Sequence, residues 1–213
     1  MTEIHSALGR LKESLIAGDH IATAGQTTAL VEQGIDPTMI LNEALLPGMQ
    51  LIGQRFRNGE YFLPDVLVRA RAMKSAMAVL EPLLEKGEYK ARGTIVIGTV
   101  KGDVHDIGKN LVGVMLRGAG YRVVDIGVGC SDRTFLEAVR THHPDILGMS
   151  ALLTTTMTYM KTVISTLRAA GETLPIIIGG APINAVFAEQ VGATGTARNA
   201  TDVVELVSSI LKR

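Results

Sequence analysis

Residues 94–110 read TIVIGTVKGDVHDIGKN and join an apolar run, a glycine-containing turn and the start of an amphipathic segment. A short and continuously apolar run such as Thr94–Thr99 is typical of a strand in a parallel sheet that is buried on both faces. A strand that leads through a short loop into a helix is the repeating unit of α/β folds. The stretch therefore predicts the first strand, loop and helix of an α/β domain.

The same pattern of strand and helix continues to the C-terminus. The predicted strands are Thr94–Thr99, Arg122–Ile126, Ile146–Ser150, Ile176–Ile178 and Ala193–Ala197, the last with the weakest apolar pattern. The predicted helices span 107–118, 132–142, 157–170, 183–191 and 200–212. This repetition predicts a doubly wound, five-stranded parallel sheet of the flavodoxin-like or Rossmann-like class over residues 91–213. Such sheets bind ligands beyond the carboxyl ends of their strands, where the strand order reverses.

Before residue 90 the apolar residues recur at the spacing of helices. Two apolar stripes stand out: Ile4, Leu8, Leu11 and Leu15 in the first, and Val66, Ala70, Met73, Met77, Leu80 and Leu84 in the second. Turn signals at Gly34–Pro37 and Asn58-Gly59 separate the helical segments. We predict four helices, near 3–17, 19–33, 37–57 and 64–86. Short links between them favour an antiparallel four-helix bundle, which makes residues 1–90 a helical cap domain.

The composition excludes several classes of protein. Lys plus Arg equals Asp plus Glu at 21 each, so the chain lacks the overall basic charge that favours nucleic acid or anionic membranes. The N-terminus is charged where a signal peptide would be apolar, and no apolar run reaches the roughly 18 residues that span a bilayer. The single cysteine, Cys130, excludes an internal disulfide and is interpreted as a small buried residue. These features predict a soluble, cytoplasmic protein.

The loop after the first predicted strand carries a histidine between two carboxylates. Asp103, His105 and Asp106 lie on the turn into helix 107–118. A neutral imidazole is a common metal ligand, and its second nitrogen usually donates to a carboxylate, a role open to either aspartate. The glycines of the loop fit neither the dinucleotide fingerprint nor a phosphate loop. Two interpretations remain: a metal or cofactor ligand, or a histidine that caps the helix beside a turn-forming Asp103.

Several motifs in order extend this loop into a family pattern. Asp103-Val104-His105-Asp106-Ile107-Gly108 has the form Asp-x-His-x-x-Gly, Ser150-Ala151-Leu152 has the form Ser-x-Leu, and Gly179-Gly180-Ala181 carries a glycine pair. These motifs resemble the cobalamin-binding domains of methionine synthase and of corrinoid methyltransferase proteins. In the helical half, Leu46–Met49, Phe56, Gly59–Pro64 and Ala70–Met73 resemble the bundle that covers the methyl face of the corrin. The resemblance extends over nearly the whole chain.

The resemblance implies roles for the residues of the first loop. His105 is expected to be the metal ligand, in the lower cobalt position that the cofactor's own dimethylbenzimidazole leaves. Asp103 is expected to accept a hydrogen bond from the other ring nitrogen, and Thr156 to complete the relay. These three residues form the expected catalytic set. A proton taken up by the histidine and aspartate pair would ease release of the axial ligand when cobalt is reduced.

The resemblance also implies a set of cofactor-binding residues. In the α/β half these are Gly102, Asp103, Val104, His105, Asp106, Ile107, Gly108, Ser150, Leu152, Thr154, Gly179, Gly180, Ala181 and Ala200. In the helical half they are Asn42, Phe56, Leu63 and Val66. Gly98 and Gly102 lack a Cβ and would let the nucleotide tail of the cofactor approach closely. The alternatives are a tight turn for the glycine pair, a helix start for Thr154–Thr156, and core packing for the apolar helical residues.

The C-terminal segment departs from the family pattern at two positions. Corrinoid proteins of this type commonly carry Gly-Ala-Asp-Gly-Tyr-x-x-Asp-Ala near the last strand, whereas this chain has GATGTARNA at residues 192–200. Thr196 replaces the aromatic residue and Asn199 replaces the carboxylate. Both departures bear on the expected pocket for the nucleotide tail.

The resemblance implies a protein that carries a methyl group on cobalamin or a related corrinoid and is not an enzyme on its own. A substrate-specific methyltransferase would load the methyl group from methanol, a methylamine, a methyl thiol or an aryl methyl ether. A second, folate- or thiol-dependent methyltransferase would pass it to tetrahydrofolate or to a thiol such as coenzyme M. A reductive activase is the third expected partner, and neither nucleic acid nor membrane is expected to bind.

Three rival interpretations have distinguishing features. A cobalamin-dependent sensor or regulator would carry a further DNA-binding or partner region and often a tryptophan in the helical cap, and this chain has no tryptophan. A mutase-type cobalamin subunit shares the loop motif but lacks the helical cap. A metal-free flavodoxin-like domain would purify without colour.

Overall fold

The computed structural model of the protein describes residues 2–84 and 91–212, which form two compact units. Residues 2–84 together with Gly118–Gly120 form the helical unit. Residues 91–117 and 121–212 form the α/β unit. The predicted domain boundary at residue 90 falls outside the described residues, and it stays a prediction.

The helical unit is built from the four helical segments that the apolar spacing predicts. The elements are α1 Thr2–Ala17, α2 His20–Glu32, α3 Pro37–Ile40, a π-helix Leu41–Leu45, α4 Leu46–Arg57 and α5 Leu63–Leu84. The Asp19 carboxylate accepts hydrogen bonds from two backbone N–H groups in the first turn of α2, and the Asp36 carboxylate accepts one, from the Thr38 N–H, at the start of α3. The end of the predicted helix 64–86 lies outside the described residues. Among the described residues, no helix is both long and apolar enough to cross a membrane.

The predicted helix 37–57 is continuous but not uniform. Between α3 and α4 the chain makes a π-helical turn, in which the Leu46 N–H donates to the Leu41 carbonyl five residues earlier. The next residue, Pro47, has no N–H, so the regular helical hydrogen bond to the carbonyl four residues back cannot form at that point. The sequence shows the proline but not the wider turn that accommodates it.

The α/β unit contains five strands, all parallel, in the order β2-β1-β3-β4-β5. The strands are β1 Thr94–Thr99, β2 Arg122–Asp125, β3 Ile146–Ser150, β4 Ile176–Gly179 and β5 Gly195–Thr196. The helices are α6 Ile107–Gly118, α7 Asp132–His142, α8 Thr154–Met157, α9 Tyr159–Ala169, α10 Ala185–Val191 and α11 Asp202–Leu211. The order reverses between β1 and β3, which is the switch point where flavodoxin-like sheets bind ligands. The predicted fold class, a helical bundle followed by a doubly wound sheet, is confirmed.

The two faces of the sheet have different neighbours. Val96, Leu147, Met149 and Ile178 belong to the main apolar core, together with Phe135 of α7 and residues of α9 and α10. The intervening residues face the other way: a Cβ on Gly113 of α6 would lie 3.1 Å from the Ile97 side chain. A Cβ on Gly195 of β5 would likewise meet Leu206 of α11. Gly113 and Gly195 therefore leave space on the face toward α6 and α11.

Several boundaries differ from the sequence-based prediction. The predicted helix 157–170 is α9, Tyr159–Ala169, and a separate short helix, α8, precedes it at Thr154–Met157. The last strand is two residues long, because the Ile176 N–H donates to the Thr194 side-chain oxygen (2.9 Å) where a longer strand would offer a backbone carbonyl. The strand ladder therefore begins only at Gly195, opposite Ile177.

Candidate functional site

The loop between β1 and α6 holds the His105 imidazole in a fixed orientation. The Asp103 Oδ1 atom accepts a hydrogen bond from the His105 backbone N–H at 3.0 Å and lies 2.8 Å from the Nδ1 atom of the same residue. One carboxylate oxygen therefore fixes both the turn and the ring. Asp103 is thus a turn residue, as one interpretation of the sequence has it, and also the partner of the His105 ring, as the other has it. Asp106 instead directly precedes α6, and its carbonyl accepts from the Asn110 N–H at 2.7 Å.

The second oxygen of Asp103 is held by the start of the next loop. Its Oδ2 atom accepts from the Thr156 hydroxyl at 2.7 Å and from the Leu152 backbone N–H at 2.8 Å. The Asp103 side chain is fully buried, and burial by itself raises the pKa of this carboxyl. The hydrogen bonds from Thr156, from the His105 and Leu152 backbones and from the imidazole outweigh that effect and hold the pKa well below its usual range. Asp103 is therefore an ionised acceptor.

The state of Asp103 decides how the histidine is used. A carboxylate can only accept, so the neutral His105 ring carries its proton on Nδ1, and Nε2 keeps a free electron pair. The His105 side chain is 46% exposed, whereas its partner carboxylate is completely covered. The loop thus presents a basic nitrogen that is available to a metal ion or a proton. Among the described residues, no group of three or more His, Cys, Asp or Glu side chains is placed to hold a metal.

Apolar side chains surround this imidazole and are exposed. Val104 is 73% exposed, Ile107 62%, and Leu152 and Leu153 each 43%. They lie close together because Val104 and Ile107 flank His105, while the Leu152 and Leu153 N–H groups both point at Asp103. Exposed apolar residues in a cluster, rimmed by polar groups, are typical of a binding surface.

A cavity of about 770 Å³ adjoins the loop and opens at the carboxyl ends of the strands. It lies on the α6 and α11 face of the sheet, at the switch in strand order, and its size is typical of sites for small molecules. The residues from the predicted site that line it are Val104, His105, Asp106, Ile107, Gly108, Ser150, Leu152, Gly179, Gly180, Ala181 and Ala200. Gly102 and Thr154 lie outside this lining; Gly102 has a φ of +83° and makes the turn, and Thr154 begins α8.

The glycines near the cavity are needed for different structural reasons. A Cβ on Gly98 would lie 2.6 Å from the Ile126 side chain on the opposite face of the sheet, so this glycine makes room there and contributes backbone alone to the cavity wall. A Cβ on Gly179 would meet nothing within 4 Å, so Gly179 leaves the cavity open. Gly180 has a φ of +136°, and a Cβ would lie 1.8 Å from the Ala151 carbonyl oxygen. The glycine pair is therefore both a cavity wall and an obligatory turn.

The two departures from the family pattern fall in different places. Thr196 is paired with Ile178, whose side chain belongs to the core on the α9 and α10 face, so Thr196 faces away from the cavity. Its hydroxyl is the buried side-chain group that has no hydrogen-bond partner among the described residues. Asn199 lines the cavity, and its Oδ1 atom accepts from the Thr201 N–H and hydroxyl and from the Asp202 N–H. An asparagine can take this capping role because it needs only an acceptor oxygen.

The predicted cofactor residues of the helical unit differ in exposure. Val66 is fully buried, which fits the alternative of core packing. Phe56 and Leu63 are partly buried, and Asn42 is exposed on the π-helix. Contact of these four residues with a cofactor stays a prediction.

Two features of the site escape the sequence reasoning. Gly148 of β3 lines the cavity beside Ile97 and Ile177, and its position within an apolar strand was the available signal. Lys109 lines the cavity, is 5% exposed and forms an ion pair with Asp125. The sequence gives no sign that this lysine is buried.

The structure confirms that Cys130 is buried; burial raises the pKa of its thiol, and nearby Asp125 raises it further.

Comparison with known proteins places both units in one family. Two family models, each described as a B12 binding domain, match residues 93–207 and residues 7–81. A corrinoid protein of Desulfitobacterium hafniense is 39% identical and covers 98% of this chain and 99% of its own length. Trimethylamine corrinoid protein 1 of Methanosarcina acetivorans is 37% identical, covering 99% of this chain and 100% of its own length.

A solved structure gives the same assignment. The methanol:cobalamin methyltransferase complex MtaBC from Methanosarcina barkeri contains a chain that matches with a TM-score of 0.88 and 32% identity, over 97% of this chain and 80% of that one. The chain belongs to the family of B12-binding corrinoid proteins, and its cofactor is a corrinoid.

Proposed function

We propose that this protein is the methyl-carrying subunit of a multi-component methyltransferase system and that His105 is its cobalt ligand. The observation that carries the proposal is the His105 ring, fixed through Nδ1 by the ionised Asp103 and free at Nε2. The relatives support the carrier role, because they are named as corrinoid proteins for trimethylamine or belong to a complex with a methanol methyltransferase. On this proposal the chain performs no complete reaction alone.

The residues around His105 fit a large, flat, mostly apolar cofactor with a polar tail. The exposed side chains of Val104, Ile107, Leu152 and Leu153 would be covered by such a ring system. The cavity beside them offers a slot of about 770 Å³ for the nucleotide tail. Gly148 and Gly179 widen the slot, and Ser150 and Asn199 supply polar groups in its wall.

A bound corrinoid supplies a cobalt centre that accepts a methyl group from one partner and gives it to another. The chain's own contribution is control of one nitrogen ligand. Asp103 holds the ring at its Nδ1 side, and Thr156 and the Leu152 N–H hold Asp103. The relay therefore fixes which ring nitrogen of His105 carries the proton and which way the other one points.

The partners follow from the carrier role. A substrate-specific methyltransferase would load the methyl group, and a folate- or thiol-dependent methyltransferase would unload it. A reductive activase would restore the cofactor after chance oxidation. The names of the relatives favour a methylated amine or methanol as the methyl donor. They also favour the carrier over a cobalamin-dependent sensor. We place the protein in the cytoplasm, where such partners and a reducing environment for Cys130 are found.

Spectroscopy of reconstituted protein tests the cobalt ligand. The purified chain is loaded with cobalamin, and its visible spectrum and Co(II) electron paramagnetic resonance spectrum are recorded. We expect a form in which the cofactor's own base is detached and a histidine nitrogen is coordinated. His105→Ala should lose that signal, while His142→Ala, which removes an exposed histidine at the end of α7, should keep it. A histidine signal that survives His105→Ala contradicts the assignment.

Methyl transfer tests the carrier role. The reduced, reconstituted protein is treated with radiolabelled methyl iodide and separated from free reagent. We expect stoichiometric, light-sensitive label on the wild-type protein. That label should pass to tetrahydrofolate or coenzyme M only after a purified second methyltransferase is added. Label that no such enzyme can remove would favour a sensor.

A further inference from the structure

We propose that the buried ion pair between Lys109 and Asp125 is a positioning clamp that fixes the loop of His105 for its cofactor. The inference rests on the proposed role of His105 as cobalt ligand. The Lys109 Nζ atom donates to the Asp125 Oδ2 atom, and the lysine side chain is 4% exposed against 28% for the aspartate. A lysine is rarely buried to this extent unless it is paired. Since buried ion pairs add little net stability, the pair calls for another explanation.

The two partners lie on different elements, α6 and β2. Lys109 belongs to the first turn of α6, which begins two residues after His105. Asp125 ends β2 and starts the segment Ile126–Cys130, which leads toward α7. The Asp125 Oδ1 atom also accepts from the Gly127 N–H at 2.9 Å, so one carboxylate joins α6 to this segment.

The segment Ile126–Cys130 in turn holds the loop of the cobalt ligand. The Gly129 N–H donates to the Asp103 carbonyl at 3.0 Å. The Thr99 N–H donates to the Gly127 carbonyl at 3.0 Å, and the Thr99 hydroxyl donates to the His105 carbonyl at 3.0 Å. A closed circuit therefore runs from His105 through α6, the ion pair and the glycine segment back to Asp103.

The circuit explains why a charge is used at this place. Gly127 and Gly129 both have positive φ, at +89° and +66°, and glycine segments lose much conformational entropy when they are ordered. The loop residues Val104 and Ile107 are exposed, so the core gives them little support. The loop has little apolar packing to hold it, and the glycines have no side chains that could make contacts. The ion pair therefore supplies the directed contact that holds the loop. Lys109 and Asp125 are positioning residues for His105, because their contacts reach that side chain only through the loop.

The test compares full-length variants in the apo and the cobalamin-loaded protein. Lys109→Met keeps the length of the side chain and removes its charge. Lys109→Met/Asp125→Asn removes both charges, which avoids an unpaired carboxylate. Arg140→Met is the matched control, because it removes an ion pair with Glu172 (3.5 Å) elsewhere in the same unit. Hydrogen exchange of the Gly129 amide reports on the clamp without cofactor, and the dissociation constant of cobalamin and the histidine signal report on ligation.

We expect the Gly129 amide to exchange at least about tenfold faster, and cobalamin to bind about tenfold more weakly, in both Lys109 variants, as is usual when support for a metal ligand is lost. The histidine-coordinated fraction should fall, and Arg140→Met should match the wild type. Unchanged exchange and unchanged ligation in the Lys109 variants would overturn the clamp.

Other outcomes are decisive too. If Lys109→Met misfolds, the neutral double variant decides, and its failure to fold would make the pair a requirement of the fold and so overturn the proposal. If the wild type shows no histidine ligation, the proposed function fails, while the Gly129 exchange rate in the apo protein still tests the clamp.

Discussion

Replacing Gly180 by alanine places a methyl group against the backbone of the neighbouring strand end. The new Cβ would lie 1.8 Å from the Ala151 carbonyl oxygen, whereas real Cβ contacts essentially never fall below 3.0 Å. The φ of +136° is also one that only glycine adopts easily. Because the obstacle is a carbonyl and not the end of a flexible side chain, β3 and β4 must separate where they border the cavity.

The expected cost has three parts. Backbone strain at such a φ contributes about 1 to 3 kcal/mol. Separation of the chains threatens the hydrogen bond from the Ala151 N–H to the Gly179 carbonyl (3.1 Å), which contributes about 1 kcal/mol. Overpacking adds about 1 kcal/mol or more. Gly180→Ala should therefore lower the free energy of unfolding by about 4 kcal/mol.

Substitutions of two other glycines separate the backbone strain from the close contact. Gly171→Ala has the strain of a positive φ, +84°, but no atom within 4 Å, so we expect a loss of about 1 to 2 kcal/mol. Gly179→Ala has neither strain nor collision and should change stability by less than about 1 kcal/mol. Urea denaturation followed by far-ultraviolet circular dichroism measures all three. If Gly180→Ala proves no more destabilising than Gly171→Ala, the close approach to Ala151 is not what requires the glycine.

Three further predictions concern other parts of the molecule. Thr156→Val removes a buried hydroxyl that donates to the Asp103 carboxylate (2.7 Å) and should lower the free energy of unfolding, measured in urea, by about 2 kcal/mol. Thr155→Val, at the exposed neighbouring position, should lower it by less than about 0.5 kcal/mol. Equal losses would show that the buried hydrogen bond contributes no more than an exposed threonine does. Tyr61→Leu removes a ring whose centre lies 4.0 Å from the Arg69 guanidinium carbon and a hydroxyl that accepts from Arg55 at 2.7 Å. The helical unit should therefore unfold at a lower temperature, with a loss of about 1 to 2 kcal/mol in the free energy of unfolding, and Tyr61→Phe should recover part of that loss. An unchanged melting temperature for Tyr61→Leu would speak against the contact. Hydrogen bonds from Thr166 and Tyr159 lower the pKa of Asp132. The stability that this carboxylate contributes is therefore present above the unfolded-state pKa of about 4 and is lost as the pH falls through the lower folded-state pKa. Asp132→Asn should flatten the decline of the melting temperature in that range, and parallel pH profiles for the two proteins would contradict the lowered pKa.

The strands and helices of the α/β unit could be predicted from the sequence because each depends on nearby residues. Continuous apolar runs mark β1, β3 and β4, and the helices α6 and α7 fall where the apolar spacing changes. The edge strand β5 was predicted too long, since Thr194 substitutes its side-chain oxygen for a backbone acceptor. The π-helical turn before Pro47 was missed, because hydrogen-bond geometry, and not apolar spacing, decides it.

The candidate site was predictable as a set of motifs but not as an arrangement. The sequence placed Asp103 and His105 two residues apart, and chemistry alone made one the partner of the other. It could not show that Thr156 lies 2.7 Å from Asp103, since 53 residues separate them in the chain. Nor could it separate the two functions of Gly179 and Gly180, which depend on what lies opposite each Cα.

What the sequence by itself determined is the class of the protein: local apolar periodicity sets the elements, and the ordered motifs set the family. Only the tertiary structure decided that Asp103 stays ionised under five hydrogen-bond donors, that Gly98 makes room for Ile126 on the far face of the sheet, and that Lys109 is buried against Asp125. The physical reason is that burial, electrostatics and close contact arise between atoms that the chain brings together from distant positions, while periodicity and motif spacing are properties of neighbours along the chain.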